Sequence, residues 1–352
     1  MPEQRNQLRL VVATLVPDEV CSWLAAAEPR ITLVRDPDLL PPKRYGGDHH
    51  GEPFWRRTPA RQQRFEDMLS SADALYGIPD QSPELLRKIA QTNTALRWVH
   101  TMAAGGAAQI AAARLDPATL RRVAFTTSAG VHVPTLREFA LFGLLAGAKN
   151  LPRLLADQSA HHWPGRWPMG QLHEQRVVVV GLGHLGRGIA QTVAALGARV
   201  SAVNRTLREV PGVDEVAPLD RLAEVARSAD ALVVTLPASP TTTGLVDAEV
   251  LTALRPGATV VNVGRGSAID EQALIAALSS GHLGFAALDV TAVEPLAKDS
   301  PLWDLPNVLI SPHTAALSPR EDRRIAELVL ENSRRLLDGR ELLNRIPETD
   351  LT

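Results

Sequence analysis

Short apolar runs rich in β-branched residues alternate along this chain with longer stretches whose apolar positions recur every three or four residues, the pattern of strands alternating with helices. The clearest run is Val177-Val178-Val179-Val180, too short for a helix and apolar on every side, as a strand buried on both faces of a parallel sheet must be. After it, Leu185, Ile189, Val193 and Leu196 fall on one helical face until Gly197, and a second strand is expected over 199–203. Further strands are predicted over 231–236, 259–263, 284–290 and 308–310, with helices over 219–227, 246–254 and 269–278 between them. Nearer the N-terminus the pattern predicts strands over 8–16, 31–34, 73–78, 97–102 and 123–127, and helices over 18–27 and 83–90. A long helix starts at Pro134, where Leu136, Phe139, Ala140, Gly143, Leu144 and Gly147 share a face whose small residues permit close packing. Trp163, Pro164, Trp167 and Pro168 read as an irregular linker after it. Such alternation implies an α/β fold with helices on both faces of a parallel sheet and functional groups at the carboxyl ends of the strands.

The stretch 37–59 breaks the pattern. It holds Pro41-Pro42, Gly46-Gly47, Asp48-His49-His50 and Phe54-Trp55-Arg56-Arg57. Three adjacent metal-capable side chains in a Pro/Gly setting, with no partner ligands identifiable elsewhere, predict a solvated loop or lid and no metal site. A length of 352 residues allows two domains, and a net charge of −2 without a basic run gives no reason to expect nucleic acid or an anionic membrane as partner. Cys21 is the only cysteine, flanked by Val20 and close to Trp23, so a core position is expected and an internal disulfide is excluded. No stretch approaches the roughly 20 apolar residues that span a bilayer, and no cleaved-signal pattern is evident, so a soluble cytoplasmic protein is expected.

Between the valine strand and its helix lies Gly181-Leu182-Gly183-His184-Leu185-Gly186. The first glycine allows a tight turn, the second lets backbone approach a pyrophosphate, and the third lets the helix pack on the strand. The helix N-terminus adds free N–H groups and partial positive charge, which suits a dinucleotide. At the end of the second strand, where an acidic residue would hold the ribose of NAD, stand Asn204, Arg205 and Thr206. These can bind a phosphate, so NADP(H) is favoured, with NAD possible.

Three groups that can do chemistry lie at or beyond strand ends. Arg265 stands between Gly264 and Gly266, an arrangement read as freeing the backbone to aim a carboxylate-binding guanidinium. Glu294 precedes Pro295, and His313 follows Ser311-Pro312. A carboxylate within reach of His313 would fix its tautomer and tune it as a general acid. Ala104, Gly105 and Gly106, at a strand's carboxyl end, can offer backbone N–H groups to a substrate carboxylate.

The glycine motif, Val261 to Gly266, Leu288-Asp289-Val290 through Glu294-Pro295-Leu296, and Ser311 to Ala315 occur in an order that resembles the D-isomer-specific 2-hydroxyacid dehydrogenases over about 100–340. The resemblance implies two doubly wound parallel-sheet domains, with a Rossmann cofactor domain (134–318) inserted in a smaller flavodoxin-like substrate domain (1–133 and 319–352). The final helix, 319–337, returns to that smaller domain. It implies a triad of Arg265, Glu294 and His313, in which Arg265 binds the carboxylate and keto oxygen of a 2-oxo acid and His313, held protonated by Glu294, donates the proton. It places His184, Leu185, Val263, Gly264, Asp289 and Ala315 with the glycines and the selector around the cofactor, and Leu236 and Pro237 near its adenosine side. Ala104 to Gly106 fall at the substrate, although the aspartate usual after this glycine is absent from Gly106-Ala107-Ala108. A homodimer through the cofactor domains is also implied. The selector resembles that of glyoxylate and hydroxypyruvate reductases; the alternatives are NADH with a bulkier 2-oxo acid, or a dinucleotide-sensing corepressor-like protein.

Overall fold

The computed structural model describes residues 7–351. They form two compact units, one made of the described residues up to His132 and from Leu317 onward, the other of Val133–Ala316. In the first unit five strands, β1 (Leu8–Val12), β2 (Ile31–Val34), β3 (Ala74–Tyr76), β4 (Trp98–His100) and β5 (Ala124–Thr126), make a parallel sheet in the order 2-1-3-4-5, that of flavodoxin-like folds. Alternation along the strands feeds two cores. Val11, Leu75, Val99 and Phe125 pack on one face, and Leu10, Val12, Tyr76 and Trp98 on the other. The helix Glu321–Leu337 contributes Ile325, Ala326 and Val329 to the second of these cores, as does buried Cys21.

The second unit is one seven-stranded parallel sheet. Its strands are β6 (Arg176–Val180), β7 (Arg199–Val203), β8 (Glu215–Ala217), β9 (Ala231–Val234), β10 (Ala258–Asn262), β11 (Leu283–Leu288) and β12 (Val308–Ile310), in the order 12-11-10-9-6-7-8. Winding reverses between β6 and β9, so the crevice where a Rossmann sheet takes its ligand lies beyond the end of β6. The valine run is divided as a doubly covered strand requires, Val178 and Val180 facing one core and Val177 and Val179 the other. The long helix Val133–Ala148 lies on β10 and β11 through its glycines: a Cβ at Gly143 would meet that of Ala287 at 2.7 Å, and one at Gly147 would meet Thr259 Oγ1 at 2.0 Å.

Several elements differ from the sequence reading. The helix Pro59–Ser70, capped by Thr58, lies where no helix was expected, because only Phe65 and Leu69 of its residues are buried. Likewise, Leu151–Ser159 is a helix with no buried residue, between the long helix and the irregular linker at Trp163–Pro168, where no separate helix was expected. The loop after β2 is not solvated throughout. Asp48 is buried and accepts from the guanidinium and N–H of Arg44 and from the N–H groups of His50 and Gly51, and Arg44 holds its carboxyl well below the usual range. His49 donates to Glu321 and Lys43 pairs with Asp322, which pins the loop to the first turn of the closing helix. Asp48 and His49 are thus spent on different partners, and among the described residues no group of three or more His, Cys, Asp or Glu could hold a metal.

His100 ends β4 fully buried, bonded through Nδ1 to Thr126 Oγ1 (2.8 Å) and through Nε2 to Ser128 Oγ (3.0 Å). Burial pushes its imidazole down to about 3, so the folded protein keeps it neutral. The unfolded chain therefore binds one more proton between pH 6.5 and about 3, and stability falls as pH drops through that window. In urea melts the slope from this group is about 1.4 kcal/mol per pH unit at its steepest. The expected result is that His100→Gln, whatever its baseline stability, flattens the pH dependence between pH 6 and 4; an unchanged slope would show that His100 is not the group responsible.

Candidate active site

β6 runs into Gly181, whose φ of +96° requires glycine. Gly183 then caps the helix His184–Ala195 with no side-chain hydrogen bond, and no other atom lies within 4 Å of where its Cβ would be. At Gly186 a Cβ would fall 1.8 Å from the Gly181 carbonyl oxygen. The three glycines thus serve turn, access and packing. Asn204, at the end of β7, ties the selector to this turn by accepting from Leu182 N–H (3.0 Å) and donating to the Thr206 carbonyl (2.8 Å).

A cavity of about 810 Å³ opens here, lined among others by Gly183, His184, Asn204, Arg205 and Thr206. Arg137, Arg187 and Arg208 also line it, and among the described residues none of these three nor Arg205 forms an ion pair. Local desolvation and the Arg187 charge push His184 below its ordinary range, as expected where positive potential has accumulated. The cradle fits a dinucleotide: uncapped N–H groups, a glycine open to the cavity, and four guanidiniums lacking anions. The sequence reading found Arg205 and missed the others, because Arg137 arrives from a helix 68 residues earlier and Arg187 and Arg208 sit in no motif. Leu185 is half-buried on the glycine helix. Leu236 faces the core, with its backbone against Gly264, while Pro237 beyond it is exposed.

The three groups singled out above follow the carboxyl ends of the neighbouring strands β10, β11 and β12, and two of them are bonded to each other. His313 Nδ1 donates to Glu294 Oε2 at 2.6 Å, and its Nε2 has no protein partner among the described residues. Both side chains stay partly exposed, 46% and 37% respectively. His313 is in the left-handed region at φ 54°, held there by Asp289. The Asp289 carbonyl accepts His313 N–H (2.9 Å), and its Oδ1 accepts from Ser311 Oγ (2.8 Å), Thr314 N–H (3.0 Å) and Ala315 N–H (2.9 Å). Asp289 is buried, and its carboxylate shapes the histidine loop.

Arg265 is exposed and donates once, to the Gly264 carbonyl, at 2.7 Å. Its flanking glycines serve a purpose the sequence reading did not give them. Neither has positive φ; each is a point of close approach. A Cβ at Gly264 would fall 2.6 Å from the Leu236 carbonyl oxygen, and one at Gly266 would fall 1.8 Å from that of Thr291. The Arg265 turn is thereby pressed between the end of β9 and the loop that carries Glu294, with Val263 buried beneath it.

In the first unit, Ala104 and Gly105 are exposed at the end of β4. Among the described residues the N–H groups of Ala104, Gly105 and Gly106 have no protein acceptor. A Cβ at Gly106 would fall 2.2 Å from Thr101 Oγ1, so glycine is needed there for closeness.

Residues 141–315 match the model of the D-isomer specific 2-hydroxyacid dehydrogenase NAD-binding domain. A D-isomer specific 2-hydroxyacid dehydrogenase from Xanthobacter autotrophicus Py2, solved in complex with NADPH and MES, superimposes with a TM-score of 0.76 at 30% identity, covering 98% of this chain and all of that one. The chain belongs to the D-isomer-specific 2-hydroxyacid dehydrogenases. Within that family it is 34% identical over 229 residues to the (S)-sulfolactate dehydrogenase of Chromohalobacter salexigens, covering 62% of this chain and 71% of that protein. It is also 35% identical over 226 residues to the D-3-phosphoglycerate dehydrogenase of Mycobacterium bovis, covering 64% of this chain. The match spans only 43% of that relative's length.

Proposed function

We propose that this 2-hydroxyacid dehydrogenase family member reduces a small 2-oxo acid, of the glyoxylate or hydroxypyruvate kind, to the D-2-hydroxy acid with NADPH. The observation that carries the reading is the 2.6 Å bond from His313 Nδ1 to Glu294 at the carboxyl end of a dinucleotide-binding sheet. With Nδ1–H given to the carboxylate, Nε2, which has no protein partner among the described residues, is the atom from which the charged ring can deliver a proton, which is what a general acid needs. Arg265 holds the substrate carboxylate and keto oxygen with the guanidinium nitrogens its one backbone bond leaves over. Protonation of that oxygen by His313 balances the hydride that the nicotinamide supplies to the carbon. Glu294 accepts from Nδ1–H and fixes the orientation of the ring.

NADPH is preferred in this reading because four arginines that form no ion pair among the described residues line the selector cavity against one carboxylate, Glu209, and no acidic residue stands at the end of β7. The Xanthobacter relative, which holds NADPH, supports it. An Arg205→Ala enzyme should lose about 10–100-fold of its NADPH-over-NADH preference in kcat/KM, the value of one charge-assisted hydrogen bond. An unaltered ratio would refute the role of Arg205.

We further propose a cytoplasmic homodimer. Leu155 and Trp163 are exposed, with Phe142 and Leu145 on the outer side of the long helix, an apolar surface of the kind a second copy covers. No helix among the described residues is long and apolar enough to cross a membrane. Sedimentation at micromolar concentration tests the dimer. A panel of 2-oxo acids assayed with NADPH and NADH tests the activity, and tight NADPH binding without oxidation by any acid would replace the reductase with a dinucleotide sensor.

A further inference from the structure

We propose that Glu271, outside the triad, is a positioning residue that sets the place of Glu294; this rests on the reductase reading above. Glu294 rides on a loop that leaves β11 and runs over the surface, with Val293 70% exposed. The loop's own bonds are few: Thr291 N–H donates to Glu294 Oε1 (3.3 Å), and Thr291 Oγ1 donates to the Val293 carbonyl (2.9 Å). These two bonds fold the loop on itself and do not reach a neighbouring element. Beyond the Glu294–His313 pair itself and the bond from Trp303 Nε1 to the Ala297 carbonyl (2.9 Å) further along, the tie beside Glu294 is Glu271 Oε2, which accepts the Ala292 N–H at 2.9 Å.

Glu271 opens the helix Glu271–Ser279, where a carboxylate would ordinarily serve the free N–H groups of its own first turn. Asp270 already caps Gln272 and Ala273, so Glu271 is released to the neighbouring loop. It lies five residues beyond Gly266, which packs under the Thr291 carbonyl. One segment therefore holds the glutamate loop at two successive residues, by steric contact at Thr291 and by a hydrogen bond at Ala292. Because that segment also carries Arg265, Glu271 couples the position of the substrate-binding guanidinium to that of the carboxylate behind His313.

The test compares Glu271→Ala and Glu271→Gln, since an amide oxygen can still accept the Ala292 N–H. Glu271→Ala should lower kcat about tenfold with KM for the 2-oxo acid little changed, because a displacement of a fraction of an ångström in a catalytic group costs rate more than binding. Glu271→Gln should restore most of it. In the free protein, the downfield proton resonance of His313 Nδ1–H, identified by its loss in His313→Ala, should broaden in Glu271→Ala and stay sharp in Glu271→Gln. Wild-type kcat in Glu271→Ala, an unbroadened resonance there, or equal losses in both variants overturns the proposal. A wild-type enzyme inactive on every 2-oxo acid defeats the reductase reading instead, and the resonance then decides the positioning claim by itself.

Discussion

Replacing His313 with alanine is expected to lower kcat by roughly 10²–10⁴-fold, the loss that follows removal of a general acid, while leaving NADPH affinity and thermal stability near their original values. The first expectation follows from the pair itself: Glu294 sits on Nδ1, and no other acid of the second unit is bonded to the ring among the described residues. The second follows from exposure. An ion pair between side chains 46% and 37% exposed is screened by water, and such pairs contribute about 0–1 kcal/mol. The site is therefore costly to lose for rate and cheap to lose for stability. A double-mutant cycle sharpens the test, because Glu294 acts through the ring: once His313 is gone, Glu294→Ala should cost little more, and the two effects should be far from additive. Steady-state kinetics with the best acid of the panel, fluorescence titration of NADPH and a melt for each variant measure all three quantities. A His313→Ala enzyme with undiminished kcat would remove the histidine from the chemistry.

Much of the fold was legible because the sheets are buried on both faces. β6 and β7 fall where the apolar runs place them, since a strand largely covered on both faces has little polar side to blur its ends, and the partly buried edge strands β2 and β12 match as well because their runs are short and apolar. Where burial is slight the pattern fails. The helix Pro59–Ser70 buries only Phe65 and Leu69, Leu151–Ser159 buries no residue fully, and the edge strand β8 (Glu215–Ala217) buries only Ala217. The loop after β2 was misread for another reason. Its order comes from Asp48 folding back on Arg44 and from His49 and Lys43 meeting Glu321 and Asp322, more than 270 residues away, and no periodicity encodes contacts of that kind. At the site, the glycine motif and the three chemical groups could be read because each has a fixed place in a family pattern. The supports could not. Asp289 as the scaffold of the histidine loop, Glu271, and the arginines converging on the selector are set by where strand ends and helix starts meet in space.

The glycines beside Arg265 yield the prediction with the largest structural consequence. Gly266→Ala would put a methyl 1.8 Å from the Thr291 carbonyl oxygen, 2.0 Å from its carbon and 2.6 Å from Ala292 N. No rotamer relieves this, because every obstructing atom is backbone, so one segment must withdraw from the other. Thr291 is buried, and Ala292 is the residue Glu271 holds, so the withdrawal is shared between the Arg265 turn and the glutamate loop. Overpacking of this kind costs about 1–3 kcal/mol, and an ångström of misplacement costs about 10²-fold in rate. The expected enzyme is folded, somewhat less stable, and slower by about 10²-fold or more, with NADPH affinity less affected because the glycine motif on β6 is untouched. Gly264→Ala, which strikes the Leu236 backbone at 2.6 and 2.7 Å, should behave similarly. Gly46→Ala, with nothing within 4 Å, is the matched control and should be neutral in both melt and assay. If Gly266→Ala kept its rate within threefold of wild type, about 0.7 kcal/mol, the spacing of Arg265 and Glu294 would be tolerant. Close approach of the two loops would then be a feature of packing with no bearing on catalysis.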